Sequence, residues 1–546
     1  MSEPESPPRA WAAPTIARAA LLVAVLAVLA RLAGFARILV FAHTVGPSCL
    51  GDTYYTANTI PNILFDVVAG GALSSLVVPI LAGPVDSGDG ETADRVVSAL
   101  LTWTGLLMLP VLVGGLLLAH PLMSVLVGNG HPGCPAAAEI AVGTRMLRVF
   151  MPQVLFYGAG VVCIGVLQAH RRFTGPAIAP LLSSLAVIAA YLVFATAAER
   201  RETSLSTLSR SHELVLSVGT TLGVVLLAAT LVLPLRRTGR RIRPTLGFPP
   251  GLGATARRMA MAGAVVLGSQ DVATAVILRL ANDRGADGAV VLYNLAWTVF
   301  LVPWSVLAVP LATAAFPTLT ARWHAGERAA YAATTARTAR GVTVVTAGAA
   351  GLLVAAAVPL ARVVVLGAPG AVPPVTLARA LAAFAPGLLG YGAIALFTRA
   401  HYARGDARTP AVAAAAGWGV AIVADVVLAA AMPRQWTATA LGLGGSLGMT
   451  LAGAWLFVSQ RRAVGTISVA GLRRTAPVAI LAAIGIGVAG YAVTRAVPHS
   501  GVGGSAALAL AIGLAGGAAY LGLIWWLDRP SVELLLRRGR GSAIDG

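Results

Sequence analysis

Long apolar runs, separated by short polar connections, make up almost the whole chain. Each run has about 20 residues or more, the length at which an α-helix crosses the hydrocarbon layer of a bilayer. The pattern predicts an all-α polytopic membrane protein with fourteen transmembrane helices. The predicted spans are 15–42, 53–82, 96–119, 139–168, 175–197, 212–235, 256–281, 289–316, 329–358, 376–400, 409–431, 438–459, 475–494 and 505–527.

The arginines between the runs are distributed unevenly. Most fall in the tails and in the connections after even-numbered spans, for example 171–172, 236–243, 461–462 and 473–474. Basic residues are retained on the cytoplasmic side of a membrane. This asymmetry predicts a multi-pass protein of the cytoplasmic membrane, with both termini in the cytoplasm.

An internal repeat divides the chain. AHRRFTGP ends at Pro176 and AHYARGDARTP ends at Pro410, an offset of 410 − 176 = 234 residues, while two small-residue segments end at Pro79 and Pro317, an offset of 317 − 79 = 238. Six spans are an even number, so the two copies keep one orientation. We predict two six-helix lobes related by a pseudo-two-fold axis along the membrane normal.

The repeat and the charge pattern predict the organisation of the whole chain. The predicted parts are a disordered cytoplasmic tail at 1–14, an N-lobe at 15–236, a basic cytoplasmic linker at 237–255, a C-lobe at 256–460, a helix pair at 461–528 and a cytoplasmic tail at 529–546. The first run is flanked by Arg18 and Arg31 and continues into the segment that begins at Arg31, so we expect it to remain attached as a helix and not to be removed as a signal peptide.

Composition excludes an ordinary soluble protein. Of 546 residues, 57% are hydrophobic and 11% are charged, and the mean hydropathy is +0.81. Soluble domains carry about 25% charged residues. The net charge of +19 comes from forty basic residues, all arginine, but these are dispersed between apolar runs and form no patch for nucleic acid.

The three cysteines have no metal-ligand spacing, so no metal is expected. Their spacing favours free thiols. Cys49 and Cys134 both fall in connections on the predicted outer side, which leaves a disulfide between them open.

The segment from Arg31 to Leu81 carries the most informative polar residues. Arg31 and Arg37 lie in an apolar helix, although a charge at the centre of a membrane helix costs about 2.5–3.5 kcal/mol. Guanidinium groups suit phosphate oxygens, so these two arginines are the leading candidates for an anion site. Helix interruptions are expected at the hinge candidates Pro61, Gly70 and Gly71.

Three motifs of this sequence resemble one known family. RLAGFAR followed by GDTYYTANTIPN and GGALSSLVVPIL, then LQAHRRFTGPAIAPLLSSL, then YARGDARTPAVA resemble the MurJ/MviN family, within the multidrug/oligosaccharidyl-lipid/polysaccharide exporter superfamily. The resemblance implies a flippase for lipid II, the undecaprenyl-pyrophosphate-linked peptidoglycan precursor. It also implies alternating access without bond chemistry, and a groove for the lipid tail formed by the last two helices. Cell-wall synthesis proteins would be further partners.

Other polar residues are candidates of lower rank. Substrate contacts are expected from Asp52, Asn62, Arg279 and Arg399 in addition to the two arginines of the first span. Asp66, Asp271 and Asp425 are candidates for coupling to a cation, H⁺ or Na⁺, although the alternative in which each forms a structural pair is the favoured one. No catalytic residue and no other cofactor are expected.

The sequence departs from the family at two places. Many members carry arginine after the proline-asparagine motif and in the eighth helix, where this chain has Phe65-Asp66 and Trp297-Thr298. The alternatives therefore stay open: an exporter of another polyprenyl-linked glycan, a cation-coupled drug antiporter, a membrane glycosyltransferase, or a scaffold for cell-wall enzymes that transports nothing.

Overall fold

The computed structural model describes residues 13–131, 133–197, 205–239, 242–247, 252–370, 372–497 and 501–529. The predicted tail at 1–14 lies outside these residues except for its last two, which begin the first helix. The predicted tail at 529–546 lies outside them except for its first residue.

The first half of the chain contains nine α-helices and one two-stranded hairpin among the described residues. They are α1 (Ala13–Thr44), α2 (Cys49–Phe65), α3 (Gly71–Asp86), α4 (Gly90–Leu117), α5 (Ala119–Val127), β1 (Gly130–His131), β2 (Cys134–Pro135), α6 (Ala136–Phe150), α7 (Gln153–Ala169), α8 (Thr174–Ala197) and α9 (Arg210–Arg236). A π-helical segment, Asp66–Gly70, joins α2 to α3.

The second half has the same order of elements. They are α10 (Leu252–Arg284), α11 (Ala289–Pro303), α12 (Val309–His324), α13 (Arg328–Ala355), α14 (Ala357–Val365), α15 (Pro374–Phe384), α16 (Gly387–Ala403), α17 (Arg408–Ala431) and α18 (Thr437–Val464), followed by α19 (Leu472–Ala496) and α20 (Gly501–Leu527). A second π-helical segment, Trp304–Ala308, joins α11 to α12. Short 3₁₀ turns, Arg434–Trp436 and Thr466–Val469, precede α18 and α19.

The element boundaries repeat at nearly constant offsets. The π-helical segments begin at 66 and 304, α4 and α13 begin at 90 and 328, and α5 and α14 begin at 119 and 357; each difference is 238. From α7 and α16, at 153 and 387, the difference becomes 234, which α8 and α17 share at 174 and 408. The packing repeats too, since α3 packs on α7 as α12 packs on α16, and α8 packs on α9 as α17 packs on α18. The offsets of 238 and 234 read from the sequence are those of the whole architecture.

Among the described residues, 11 helices or joined helix pairs are long and apolar enough to cross a membrane, or 12 if the bent pair Pro374–Phe384 and Gly387–Ala403 counts as one span. The predicted spans 53–82 and 256–281 are not in this set. The protein is therefore a mostly helical, multi-pass membrane protein, and the structure itself does not establish fourteen spans.

The prediction of an interruption at Pro61 is wrong in its position. Helix α2 continues through the buried Pro61 to Phe65, and the distortion lies in the π-helical segment that ends at Gly70, directly before Gly71. The missing proline N–H disturbs the local hydrogen bonds of the helix. Close by, the Asn62 side-chain amide donates to the Asn58 carbonyl over 2.9 Å, which adds a hydrogen bond to this turn.

The preference for free thiols at Cys49 and Cys134 is also wrong. The two form a disulfide, with Cα atoms 5.5 Å apart, although they are 85 positions apart in the sequence. Sequence spacing carried no sign of this because folding, and not chain proximity, brings the start of α2 beside the β1–β2 hairpin. Cys163 is free and buried.

The basic linker adopts an extended path along α4. The backbone N–H groups of Arg243 and Thr245 donate to the Ser98 and Thr102 hydroxyls over 3.0 and 3.2 Å. The Trp103 indole donates to the Leu246 carbonyl over 3.1 Å. The linker is thus fastened to the first half at residues 242–247.

Candidate functional site

The two halves meet along two lateral seams that differ. At one seam α10 packs along α3 and along the first π-helical segment. The repeat makes α1 the counterpart of α10, but α1 shows no comparable packing on α12 or on the second π-helical segment among the described residues. One seam is therefore closed by helix packing, whereas the α1–α12 seam is loosely closed.

Arg31 lies at the loosely closed seam. Its side chain is exposed, and its Nη1 lies 3.4 Å from the Ser305 carbonyl oxygen in the second π-helical segment. A π-helical turn leaves backbone groups less regularly paired than an α-helix does. Arg31 therefore places an exposed guanidinium group on the α1 side of the seam, within reach of the backbone of the second half.

Arg37 lies further along α1 and is surrounded by aromatic residues. The half-buried guanidinium lies near the hydroxyl groups of four tyrosines, Tyr54, Tyr55, Tyr157 and Tyr191. Within the described ranges, neither Arg31 nor Arg37 forms an ion pair with a carboxylate. In particular, neither arginine pairs with Asp52 or Asp66, as it would if its role were only to hold the first two spans together.

The tyrosines themselves form a packed cluster. The Tyr54 hydroxyl lies 2.9 Å from that of Tyr191 and 2.6 Å from the Thr220 hydroxyl, and the rings of Tyr54 and Tyr55 pack against Phe41. These contacts fix the wall beside Arg37. A positive charge held without a carboxylate in an apolar setting needs an anion or water as its partner.

Tyr157 connects Arg37 to the polar residues of the broken helix. Besides Arg37, it interacts with the Asn62 side chain and with the Asp66 carboxyl, and its hydroxyl donates to Gln153 over 3.0 Å. Asp66 in turn interacts electrostatically with Asp271 on α10. The structure thus brings together four predicted residues, Arg37, Asn62, Asp66 and Asp271. Tyr157 was not predicted, because a tyrosine in an apolar helix carries no distinguishing pattern.

Asp271 and Asp425 are buried with incompletely satisfied carboxyl groups. Asp271 is 6% exposed and one of its oxygens has no hydrogen-bond partner, while Asp425 is 0% exposed and neither of its oxygens has one. Asp425 lies between α17 and α18, facing Gly444. Unpartnered buried carboxyl oxygens are costly unless they bind a proton, water or a cation.

Asp52, Arg279 and Arg399 lie elsewhere. Asp52 is buried and accepts the Val291 N–H over 3.0 Å at the first turn of α11. Arg279 pairs with Asp283, Nη1 to Oδ2 2.9 Å, and Arg399 donates to the Ala395 carbonyl over 2.7 Å within its own helix. In this conformation none of the three has a described contact with Arg31 or Arg37.

A contact region between the halves surrounds Asp52. We call it the disulfide end, and on the predicted topology it is the outer face. It comprises residues 44–52, 126–131, 133–136, 279–292, 366–370, 372–374 and 431–437. The Asn282 amide donates to the Thr56 hydroxyl and the Leu126 carbonyl over 3.0 and 3.2 Å, and Asp283 accepts the Asn129 N–H over 2.9 Å. The halves are closed against each other here.

An apolar crevice of about 690 Å³ lies against α19, on the side of α13, α16 and α18. Its walls include Phe397, Phe457 and Leu472. Two arginines also line it, Arg461 at the end of α18 and Arg473 at the start of α19. This combination of apolar walls and cationic residues is suited to a lipid.

Comparisons with known proteins agree with this architecture. The family described as Lipid II flippase MurJ matches residues 41–512. Lipid II flippase MurJ of Burkholderia cenocepacia is 31% identical over 173 residues, 32% of this chain and 33% of that protein. Probable lipid II flippase MurJ of Vibrio cholerae is 26% identical over 177 residues, 31% and 33% of the two chains. The match thus spans about one third of the length of these relatives.

Two solved structures share the fold. One, Lipid II flippase MurJ in an inward closed conformation, superposes with a TM-score of 0.72 at 17% identity and covers 94% of this chain and 100% of the other. The other, an inward-facing MATE family transporter of the MOP superfamily, gives a TM-score of 0.65 at 13% identity and covers 82% and 96%. With the family matching 472 consecutive positions (512 − 41 + 1) of 546, this chain belongs to the MurJ lipid II flippase family.

Proposed function

We propose that this protein carries lipid II from the inner to the outer leaflet of the cytoplasmic membrane by alternating access. The observation that carries the proposal is the position of Arg31 at the loosely closed α1–α12 seam, with Arg37 six residues further along the same helix. A lipid-linked head group must enter from the side, because its tail stays in the bilayer. The two arginines offer bidentate donors to a pyrophosphate on that path.

In this proposal the protein has fourteen spans. Two of them, 53–82 and 256–281, are not among the helices that are long and apolar enough to cross a membrane, but the internal repeat supports both. Helices α2 and α3 with the π-helical segment between them stand where α11 and α12 stand in the second half, and α10 stands where α1 stands in the first. Two six-helix lobes of one orientation would then rock about an axis along the membrane normal. Both termini would be cytoplasmic, and closure at the disulfide end makes this an inward state.

The cationic site is smaller than in many relatives, since residues 66 and 297–298 are not arginine. Arg31 and Arg37 would bind the pyrophosphate, with Asn62 and the tyrosines nearby for the sugar and peptide. Arg279 and Arg399 remain predictions as substrate contacts, because their partners in this conformation are Asp283 and Ala395.

Coupling to H⁺ or Na⁺ would use the carboxyls of Asp66, Asp271 and Asp425. Asp66 and Asp271 interact across the closed seam between the lobes, so rocking would separate them and change their solvation. A carboxyl that gains or loses water in this way changes its affinity for a proton or a cation. Hinge motion would be absorbed at Gly71 and in the π-helical segment that ends at Gly70, and not at Pro61, through which α2 continues.

The tail of the lipid would lie against the last helix pair. The crevice beside α19 is largely apolar, and the connection that precedes α19 lines it between the two arginines through Thr466, Val469 and Ala470. It supports a tail site at 461–528 in this family, and the same surface would accept membrane lipids when no substrate is bound.

A complementation experiment tests the proposal. Cells depleted of their own lipid II flippase should grow when this chain is expressed and inserted, and should not grow with Arg31→Ala/Arg37→Ala at equal membrane abundance. Growth failure of the properly inserted wild-type chain would contradict lipid II transport and favour a scaffold or another polyprenyl-linked glycan.

Drug export is the second candidate, favoured by the fold shared with an inward-facing MATE transporter. The helix pair α19–α20 argues against drug export, since the twelve spans of the two lobes suffice for a drug antiporter and leave this pair without a role. Cation-driven efflux of a dye from proteoliposomes, with no flipping of fluorescent lipid II, would identify an antiporter.

A further inference from the structure

At the disulfide end, two separate patches of the first half contact the second half. The α2 patch, residues 46–52, packs Pro47 against Gly288 and Gly370, where any side chain would collide with the proline, and places Asp52 at the Val291 N–H. The hairpin patch, residues 126–131 with 133–134, bonds through the Asn129 N–H to Asp283. These patches are far apart in sequence but form one surface.

The hairpin patch has little internal support. Its strands have two residues each, with His131 paired to Cys134 and Gly130 to Pro135. Isolated two-stranded hairpins are marginally stable in water at best. Even so, the His131 Nδ1 lies 3.0 Å from the Asp287 carboxylate of the second half, so this small element has to hold its position for the contact to form.

The Cys49–Cys134 disulfide joins the two patches. Cys49 lies within the α2 patch, one turn before Asp52, and Cys134 is the cross-strand neighbour of His131. Cys49 is 8% exposed and Cys134 is 0% exposed. Because the bond closes a long loop within one half, it restricts where the hairpin patch can lie relative to α2 without linking the two halves covalently.

We propose that the Cys49–Cys134 disulfide positions the outer gate: it holds both patches in one surface, so that they engage the second half together and the outer side closes. The proposal rests on the two-lobe alternating-access motion. Since the bond lies within the first half, it can persist in every conformational state. It affects only the stability of the closed state, because only there must both patches fit the second half at once. Breaking it shifts the equilibrium towards the outward-open state.

Distance measurements in lipid nanodiscs test this. Thioether-linked gadolinium labels are placed on Ser211→Cys, at the start of α9 on the predicted outer side of the first half, and on Ala431→Cys, at the disulfide end of the second half. Both positions are exposed, and the pair reports the opening in a Cys163→Ala background. In Cys49→Ser/Cys134→Ser, we expect the ratio of short to long distances to fall by roughly fivefold, the size of change that the loss of about one contact produces. Chemical reduction of the labelled wild-type chain should give the same change, and the double variant should not respond to reductant.

Two controls separate positioning from general destabilisation. Glu213→Gln removes the ion pairs with Arg145 and Arg210, which both lie within the first half, and should leave the distance ratio unchanged. Where the double variant fails to insert, the reduced wild-type chain gives the answer, with bond breakage counted by alkylation and mass spectrometry. An unchanged ratio after verified loss of the disulfide overturns the proposal. A changed ratio in a chain that does not flip lipid II refutes only the proposed function.

Discussion

At the scale of single residues, the site depends on positive charges without acidic partners. The sequence predicted Arg31 and Arg37 correctly as unusual, because an arginine in an apolar run is costly wherever it lies. It could not predict their surroundings. Tyr157 comes from α7, which is distant in sequence, and only the fold places it between Arg37, Asn62 and Asp66.

Arg37→Ala should lower lipid II flipping by roughly 10-fold to 100-fold, because hydrogen bonds to charged groups contribute about 1.5–3 kcal/mol. Arg37→Lys should recover only part of the activity, since an ammonium group cannot form a bidentate contact with phosphate. Flipping is measured with fluorescent lipid II in proteoliposomes. Arg95→Ala, which removes an exposed arginine paired with Glu91, is the matched control and should flip normally. Normal flipping by Arg37→Ala would remove the anion site.

At the scale of elements, the two π-helical segments are the distinctive feature. They occur at matching places in the two halves, Asp66–Gly70 and Trp304–Ala308. The sequence indicated a break near Gly70 and Gly71 but gave no sign of the second, because Pro303 is one of several prolines inside helices. Whether a proline bends a helix depends on which carbonyl groups its neighbours can satisfy, and sequence alone does not show this.

Pro303→Ala should reduce flipping while leaving the thermal unfolding temperature unchanged or higher. Alanine restores an N–H donor and a regular turn before the second π-helical segment, so the helix becomes more stable but less deformable. The control is Pro110→Ala in α4, an exposed helix proline with no π-helical segment beside it, which should leave flipping unchanged. Unimpaired flipping by Pro303→Ala would show that this distortion is not used in transport.

At the scale of the whole molecule, the internal repeat could be predicted from the sequence, but the difference between the two seams could not. In the sequence, two prolines gave an offset of 234 and two small-residue segments gave an offset of 238. In the structure, the corresponding elements from the π-helical segments to α8 and α17 are separated by one or the other of these two offsets. The repeat alone predicts two equivalent seams. That α10 packs along α3 while α1 has no comparable packing on α12 depends on the conformation, and one sequence supports several conformations.

Asp52→Ala should shift the lobes towards the outward-open state. The buried carboxyl group accepts the Val291 N–H at the start of α11, and alanine leaves this N–H of the second half without its partner. The gadolinium distance at the outer ends should lengthen. Asp89→Ala is the control, because Asp89 also accepts an N–H at a helix start, that of Thr92 in α4, but within its own lobe. Equal effects from both variants would contradict a gate role for Asp52.

Acidity should open the same gate through His131. Burial lowers the pKa of His131, and Arg434 lowers it further, while the carboxylate of Asp287 opposes them without reversing the shift. The closed gate therefore favours neutral imidazole, whose Nδ1–H donates to Asp287, whereas an open gate would return the pKa towards its ordinary 6.5. Closure is then fully favoured above pH 6.5 and weakens as the pH falls below it, by at most about tenfold in the closed-to-open ratio at one unit below.

Distance measurements between pH 7.5 and 5.5 check this, with His131→Gln expected to lose the response and His120→Gln, an exposed histidine of α5, expected to keep it. A pH response that survives in His131→Gln would assign the sensitivity to another group. The opposite sign, closure on acidification, would mean that the ion pair with Asp287 outweighs burial.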